Sequence, residues 1–178
     1  MRPNTDAEYA ILGLLSQGSR HGYDIARRFQ AGTPLGQVWQ LRRNEVYAIL
    51  AKLEGQGWIS REGVAGGPRR RMTYRLTPQG ADAFQAWLQR PVQGLRDLRL
   101  GLLGRLYFAA ALGPAQWEVV VRRQEEALRQ RLEAWQRARD RAPDPFSRSV
   151  YDFRAVMLQA ALQWLGEIST RGLRCAEA

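Results

Sequence analysis

The chain has 178 residues, with 27 lysines and arginines against 17 acids, a net charge of +10, one histidine and one cysteine. That length suits one domain plus an extension, and the basic excess points to an anionic partner. His21 and Cys175 alone leave too little material for a protein-only metal centre, a histidine-based catalytic constellation or an internal disulfide.

No signal-peptide layout opens the sequence and no apolar run approaches a membrane span, so the expectation is a cytoplasmic protein with no membrane partner, no metal and no cofactor. Lys52 is the only lysine. An almost all-arginine cation set favours planar recognition of phosphate and guanine. Genomic base composition is a competing cause, but it does not account for the run Arg69-Arg70-Arg71.

In chain order, Thr5 and Glu8 form a T-x-x-E pair that predicts a capped helix running through Ile11, Leu12, Leu14 and Leu15 to Gly18. Ser19 is expected to cap a second helix, with Tyr23, Ile25, Ala26 and Phe29 inward, Arg27 and Arg28 outward, and His21 in a turn. In a helix-turn-helix this element crosses the phosphate backbone, which makes Arg28 a candidate contact; a solvated arginine pair is the competing reading. Residues 31–36 read as a loop.

Val46, Ile49, Leu50 and Leu53 then fall at helical spacing and define an inward stripe. The opposite face carries Arg42, Arg43, Tyr47, Ala48, Ala51 and Lys52, a slim positive surface suited to a major groove. Glu45 at its entrance favours the helix dipole but opposes phosphate. Three roles stay open for it: rejecting wrong bases, accepting from a cytosine amine, or orienting Arg42. Gly55 and Gly57 stop the helix. Trp58-Ile59 and Met72–Leu76 alternate as two strands around a turn forced by Gly63, Gly66, Gly67 and Pro68, with Arg69, Arg70 and Arg71 at its tip. Helix, strand, basic tip, strand is the plan of a winged helix.

Thr77 and Pro78 predict the cap and first position of a helix through Phe84, Trp87 and Leu88 to Arg90. Pro91 to Gly94 marks a boundary, giving a DNA-binding domain over residues 1–90 and a helical domain over residues 91–178. The second half is helical throughout. Leu95, Leu98, Leu102, Leu106 and Ala109 form one stripe, and Trp117, Val121, Gln124, Leu128, Leu132 and Trp135 a second. Val150, Phe153, Met157, Ala161, Trp164, Leu165 and Ile168 form a third, on a helix capped by Ser147. So thin a bundle cannot hide all its apolar faces, and a second copy of the chain is the simplest cover.

The segments HGYDI at 21–25, LEGQGWI at 53–59 and YRLT at 74–77 with Gly80 behind it resemble PadR-like transcriptional regulators. The likeness extends over most of residues 7–90. DLRLGLLGRLYFAAAL and LQAALQWLGEI resemble the two ends of the C-terminal helical domain of the longer members, which dimerises.

The resemblance implies a mainly α fold with a small two-stranded β wing, a double-stranded DNA operator and a homodimer through the C-terminal helices. It also implies a phosphate contact for Tyr47. The family's response to aromatic or phenolic small molecules implies such an effector, with Trp87, Trp117, Trp135 and Trp164 as candidate lining of a cavity between the halves; tryptophans at helical spacing are more often core. The chain departs from the family pattern in having Arg42, Arg43, Asn44 and Glu45 where small polar residues are usual, and Met72-Thr73 where a lysine often stands.

The expected function is a dimeric repressor of a pseudo-palindromic operator, released by a small molecule. DNA contacts are expected from Arg28, Arg42, Arg43, Tyr47, Ala48, Lys52, Arg69, Arg70 and Arg71, and no residue is assigned to catalysis. The alternative is a winged-helix adaptor that binds protein without site-specific DNA recognition.

Overall fold

The computed structural model describes residues 5–63 and 72–171. The chain divides into two compact units, Met1–Leu88 and Gln89–Ala178.

In the first unit α1 (Asp6–Ser16) buries Ala10, Ile11, Leu12, Leu14 and Leu15. Its entrance is capped as the T-x-x-E pair predicts, the Glu8 carboxylate accepting the Thr5 N–H at 3.1 Å. Next come β1 (Arg20–His21), α2 (Gly22–Arg27), α3 (Pro34–Val38) and α4 (Arg43–Gly55), then β2 (Ile59–Gly63), β3 (Met72–Leu76) and α5 (Pro78–Gln89).

Several sequence expectations change here. The sheet has three antiparallel strands in the order β1-β3-β2, the third pairing Arg20 with Tyr74 and His21 with Thr73. A two-residue strand carries no alternation to read. His21, not Ser19, is the extended residue at the α2 entrance. The expected loop at 31–36 holds the start of α3, where Thr33 Oγ1 accepts the Gly36 N–H at 3.0 Å and Pro34 occupies the first turn. Tyr23, expected inward, is 53% exposed.

The core sits where these elements meet: Ile25, Phe29 and Leu35 with Val46, Leu50 and Leu53 of α4, Ile59 of β2, and Phe84 and Leu88 of α5, all buried. Just past the end of α4 the chain turns at Gly57, whose φ of +72° is the left-handed conformation that glycine adopts without strain. Thr77 Oγ accepts the Gly80 N–H at 3.1 Å and donates to the Gly57 carbonyl at 2.7 Å, so one hydroxyl caps α5 and ties it to the end of α4.

The second unit contains α6 (Leu95–Asp97), a π-helical turn (Leu98–Leu102), α7 (Leu103–Leu112), α8 (Pro114–Asp140) and α9 (Pro145–Arg171). Leucine spacing predicts one regular helix where the π turn interrupts it. Gln124, read as part of an apolar stripe, is buried because its amide pairs with the backbone of Val92, accepting the N–H at 2.9 Å and donating to the carbonyl at 3.1 Å. The buried Arg105 donates to the Arg90 carbonyl at 2.9 Å and the Gly101 carbonyl at 2.8 Å. Polar side chains thus fasten residues 90–92 to the helices that follow.

Two further corrections concern α9. Its entrance is capped by Asp144, whose carboxylate accepts the Ser147 N–H at 2.9 Å and the Ser147 hydroxyl at 2.6 Å; Ser147 is the donor rather than the cap. The face packed inward carries Ala155, Leu158, Leu165 and Ile168, whereas Phe153 and Met157 of the expected stripe are 64% and 44% exposed. α9 is apolar on more than one side, and spacing alone does not decide which side meets α8. Among the described residues no helix is long and apolar enough to cross a membrane.

Candidate nucleic-acid interface

The burial of Val46, Leu50 and Leu53 fixes the rotation of α4, so Arg42, Arg43, Tyr47, Ala48 and Ala51 emerge on its exposed side as the spacing predicts. Ala48 and Ala51 keep this face slim between the larger groups. Arg42 and Arg43 stand at the helix N-terminus, where the unpaired N–H groups already favour an anion.

Arg43 is held by aromatic rings. Its guanidinium carbon lies 5.4 Å from the centroid of Tyr23 and 5.7 Å from that of Tyr47, within cation–π range of both. Tyr23 is the side chain of this cluster that the sequence expectation turned inward. The missed signal was the six-residue length of α2, which gives too little periodicity to assign faces. Gly22 makes the arrangement sterically possible: a Cβ there would lie 2.9 Å from Tyr47 Cε1 and 3.1 Å from the Tyr74 ring. HGYDI therefore supplies a gap for one tyrosine and a second tyrosine beside it.

Glu45 accepts the Arg42 N–H at 2.6 Å. Of the roles left open by the sequence, the structure supports a local one, closing the first turn of α4 and fixing the Arg42 backbone. Lys52, expected on the groove-facing side, is instead ion-paired with the largely buried Glu8 at 2.8 Å. A short, satisfied pair of this kind takes Lys52 out of the set of free cations. Arg28 ends α2, half-buried.

The strands leading to the wing carry Arg61 paired with Glu54 and Arg75 paired with Glu62, each at 3.2 Å. Between the strands, burial pushes the Tyr74 phenol above its usual range, with Arg61 opposing the shift. Arg69, Arg70 and Arg71 lie outside the described residues.

The four tryptophans proposed as a ligand lining fall into separate surroundings. Trp87 is buried in the first unit, stacked on Tyr9 at 5.5 Å and donating to Asp6 at 2.6 Å. Trp117 and Trp135 lie on the one continuous helix α8. Eighteen positions at roughly 1.5 Å each put them about 27 Å apart, too far to line one small-molecule cavity. Arg131 and Arg154 cover the Trp135 ring at 5.5 and 5.7 Å. Among the described residues, the buried Trp117 indole N–H finds no acceptor, nor does the neighbouring Gln116 amide nitrogen. Trp164 is half-buried on α9.

A helical core, a three-stranded antiparallel sheet and an exposed cationic helix N-terminus define a winged helix-turn-helix protein. Residues 11–86 match the model of the transcriptional regulator PadR-like family, and residues 98–171 match that of the virulence activator alpha C-terminal region. Most of the first unit is thus similar to PadR-like transcriptional regulators, and the helices over residues 98–171 are similar to the virulence activator alpha C-terminal region.

Among curated proteins it is similar to the negative transcriptional regulator PadR of Bacillus subtilis, 33% identical over 106 residues that cover 59% of this chain and 57% of that one. It is also similar to the probable transcriptional regulator Rv1176c of Mycobacterium tuberculosis, 27% identical over 93 residues that cover 51% and 48%. The matches thus span about half the length of these relatives. Among solved structures, Bacillus subtilis PadR in complex with operator DNA aligns at a TM-score of 0.48 and 24% identity, covering 94% of this chain and 99% of that one. The same protein in complex with p-coumaric acid aligns at 0.43 and 24%, covering 96% and 97%.

Proposed function

We propose that this protein is a sequence-specific, dimeric repressor that binds a pseudo-palindromic DNA operator in the cytoplasm and is released by an aromatic or phenolic small molecule. The observation that carries the DNA reading is Arg43, held over Tyr23 and Tyr47 at the exposed N-terminus of α4. A guanidinium whose rotamers are already restricted loses less entropy on meeting a phosphate or a guanine edge. Arg42, Tyr47, Ala48 and Arg28 extend the contact, and Arg69, Arg70 and Arg71 act from the wing. Repression follows the name of the Bacillus subtilis relative, a negative regulator.

The dimer reading rests on α9, whose exposed Phe146, Phe153, Val156 and Met157 offer an apolar strip to a second copy. The effector reading falls best on Trp117 and Gln116, whose buried, unsatisfied N–H groups suit the oxygen of a phenol or a carboxylate.

The test is selection of binding fragments from random-sequence DNA by the purified protein, followed by fluorescence anisotropy at physiological salt with and without p-coumaric acid. The expected result is two half-sites centred about one helical turn apart, roughly 34 Å, with affinity lowered by the phenolic acid. Binding with no site preference over competitor DNA would favour a protein-binding adaptor instead.

A further inference from the structure

Beside α2 the first unit holds a cleft of about 470 Å³ that shares only Arg28 with the contacts proposed above. Arg20, His21, Asp24, Arg27, Arg28 and Thr73 line it. Its volume lies in the range of small-molecule sites, commonly about 300 to 1,000 Å³, and is far more than one phosphate fills. Unlike most such sites its walls are polar, so its occupant must be polar too.

The charges in the cleft are arranged rather than merely numerous. Arg20 is oriented by the protein, its Nε donating to the Leu14 carbonyl at 3.1 Å and its Nη2 to Gln17 at 3.2 Å. Arg27 and Arg28 have no ion-pair partner within 4.0 Å among the described residues, although Asp24 precedes them by three and four positions on the same helix. Two unneutralised guanidiniums on a concave wall suit a phosphate, which accepts their planar N–H forks. Asp24 suits hydroxyl or amino donors on the same molecule, and would repel an unbroken polyanion. Also in the lining, His21 Nδ1 is hydrogen-bonded to Thr73 Oγ1 at 3.1 Å, which leaves Nε2 as the remaining polar atom of the imidazole.

We propose that this cleft binds a phosphate monoester that also carries hydroxyl groups, such as a sugar phosphate or nucleotide, with Arg27 and Arg28 on the phosphate and Asp24 on the hydroxyls. The site lies wholly within the first unit and does not depend on the DNA reading or on dimerisation. It has a route to regulation, since Thr73 belongs to the wing strand β3 and His21 immediately precedes the glycine against which Tyr47 rests.

The test is calorimetric titration of the full chain, without DNA, using ribose 5-phosphate, ribose and inorganic phosphate in turn. Saturable binding of one ribose 5-phosphate per chain is expected, at least tenfold tighter than inorganic phosphate, with ribose alone silent. Arg27→Gln combined with Arg28→Gln should weaken it at least tenfold, and Arg27→Lys with Arg28→Lys should restore part of the loss in a protein of unchanged charge. Asp24→Asn should weaken ribose 5-phosphate but not inorganic phosphate.

No saturable binding, an undiminished affinity in the double glutamine variant, or equal affinity for ribose 5-phosphate and inorganic phosphate would each overturn the proposal. So would loss of DNA affinity in the arginine variants with no binding of free ribose 5-phosphate, because the phosphate served would then be that of the DNA backbone.

Discussion

The two units differ in what they leave exposed. In the first, the large apolar groups at the surface among the described residues are Tyr23 and Tyr47, both within reach of the Arg43 guanidinium. In the second they are Leu103, Leu112, Phe146, Phe153, Val156 and Met157, with Phe153 and Met157 one helical turn apart on α9. The winged-helix unit therefore exposes rings where a cation needs a platform. The helical unit exposes aliphatic and phenyl side chains that only another apolar surface would cover. One unit sets a cation against its exposed rings; the other leaves an apolar strip uncovered on α9.

The sharpest way to break this contrast is to charge the α9 strip. Phe153→Glu with Met157→Glu should abolish self-association, because burying each such side chain is worth about 1.5 to 3 kcal/mol and a two-fold interface loses every term twice. Sedimentation equilibrium should show the dimer constant rising at least a hundredfold, with the far-ultraviolet spectrum retained. An unchanged dimer would place the interface elsewhere and leave the exposed strip unexplained.

A smaller effect separates the internal order of the helical unit from its pairing. Gln124→Ala removes both partners of the buried Val92 backbone. Leaving such groups unsatisfied costs about 1 to 3 kcal/mol, so thermal unfolding should begin several degrees lower. The first unit contains no part of that contact and should keep its own hydrogen-exchange protection. Uniform destabilisation of both units would mean that they unfold as one.

Arg43→Ala addresses the other side of the comparison. Loss of one well-placed guanidinium should weaken DNA binding by about 1 to 3 kcal/mol, roughly five- to 150-fold, while sedimentation stays that of the parent. Tyr23→Leu should reproduce a fraction of the loss, because the Arg43 platform is removed while its charge remains. If Tyr23→Leu bound as the parent does, the ring would be a bystander.

Much of this was legible in the residues, and the illegible part has physical causes. The 13-residue α4 carries enough periodicity to fix its rotation, and so Arg42, Arg43, Tyr47 and Ala48 lie on its exposed side as the spacing predicts. Lys52 was placed on the groove side because spacing cannot foresee a partner 44 positions away, and Glu8 supplies that partner. β1 and α2, at two and six residues, are too short for a pattern, which hid the third strand and the exposure of Tyr23. α9 failed for the opposite reason. It has apolar residues on two faces, and choosing the inner one needs knowledge of α8. Gln124 misled as well, because an amide that satisfies a backbone pair packs where an apolar side chain is expected.

The smallest predicted effect bears on how α9 is started. The Asp144 carboxyl sits below its usual range, held there first by the Ser147 hydroxyl and then by the Ser147 N–H. A carboxyl whose folded pKa is depressed contributes stability above its unfolded value, about 3.9, and loses it as pH falls through the folded value. Acidification below about pH 4 should therefore loosen the first turn of α9. The change should be small because the group is exposed and solvent competes for the same hydrogen bonds. Amide exchange at Phe146 to Ser149 followed by nuclear magnetic resonance should quicken there, and Asp144→Asn should flatten that dependence while leaving α1 to α5 unmoved. A carboxyl that titrated at the ordinary aspartate value would show that Ser147 donates elsewhere in solution, and the helix would then need another explanation for where it begins.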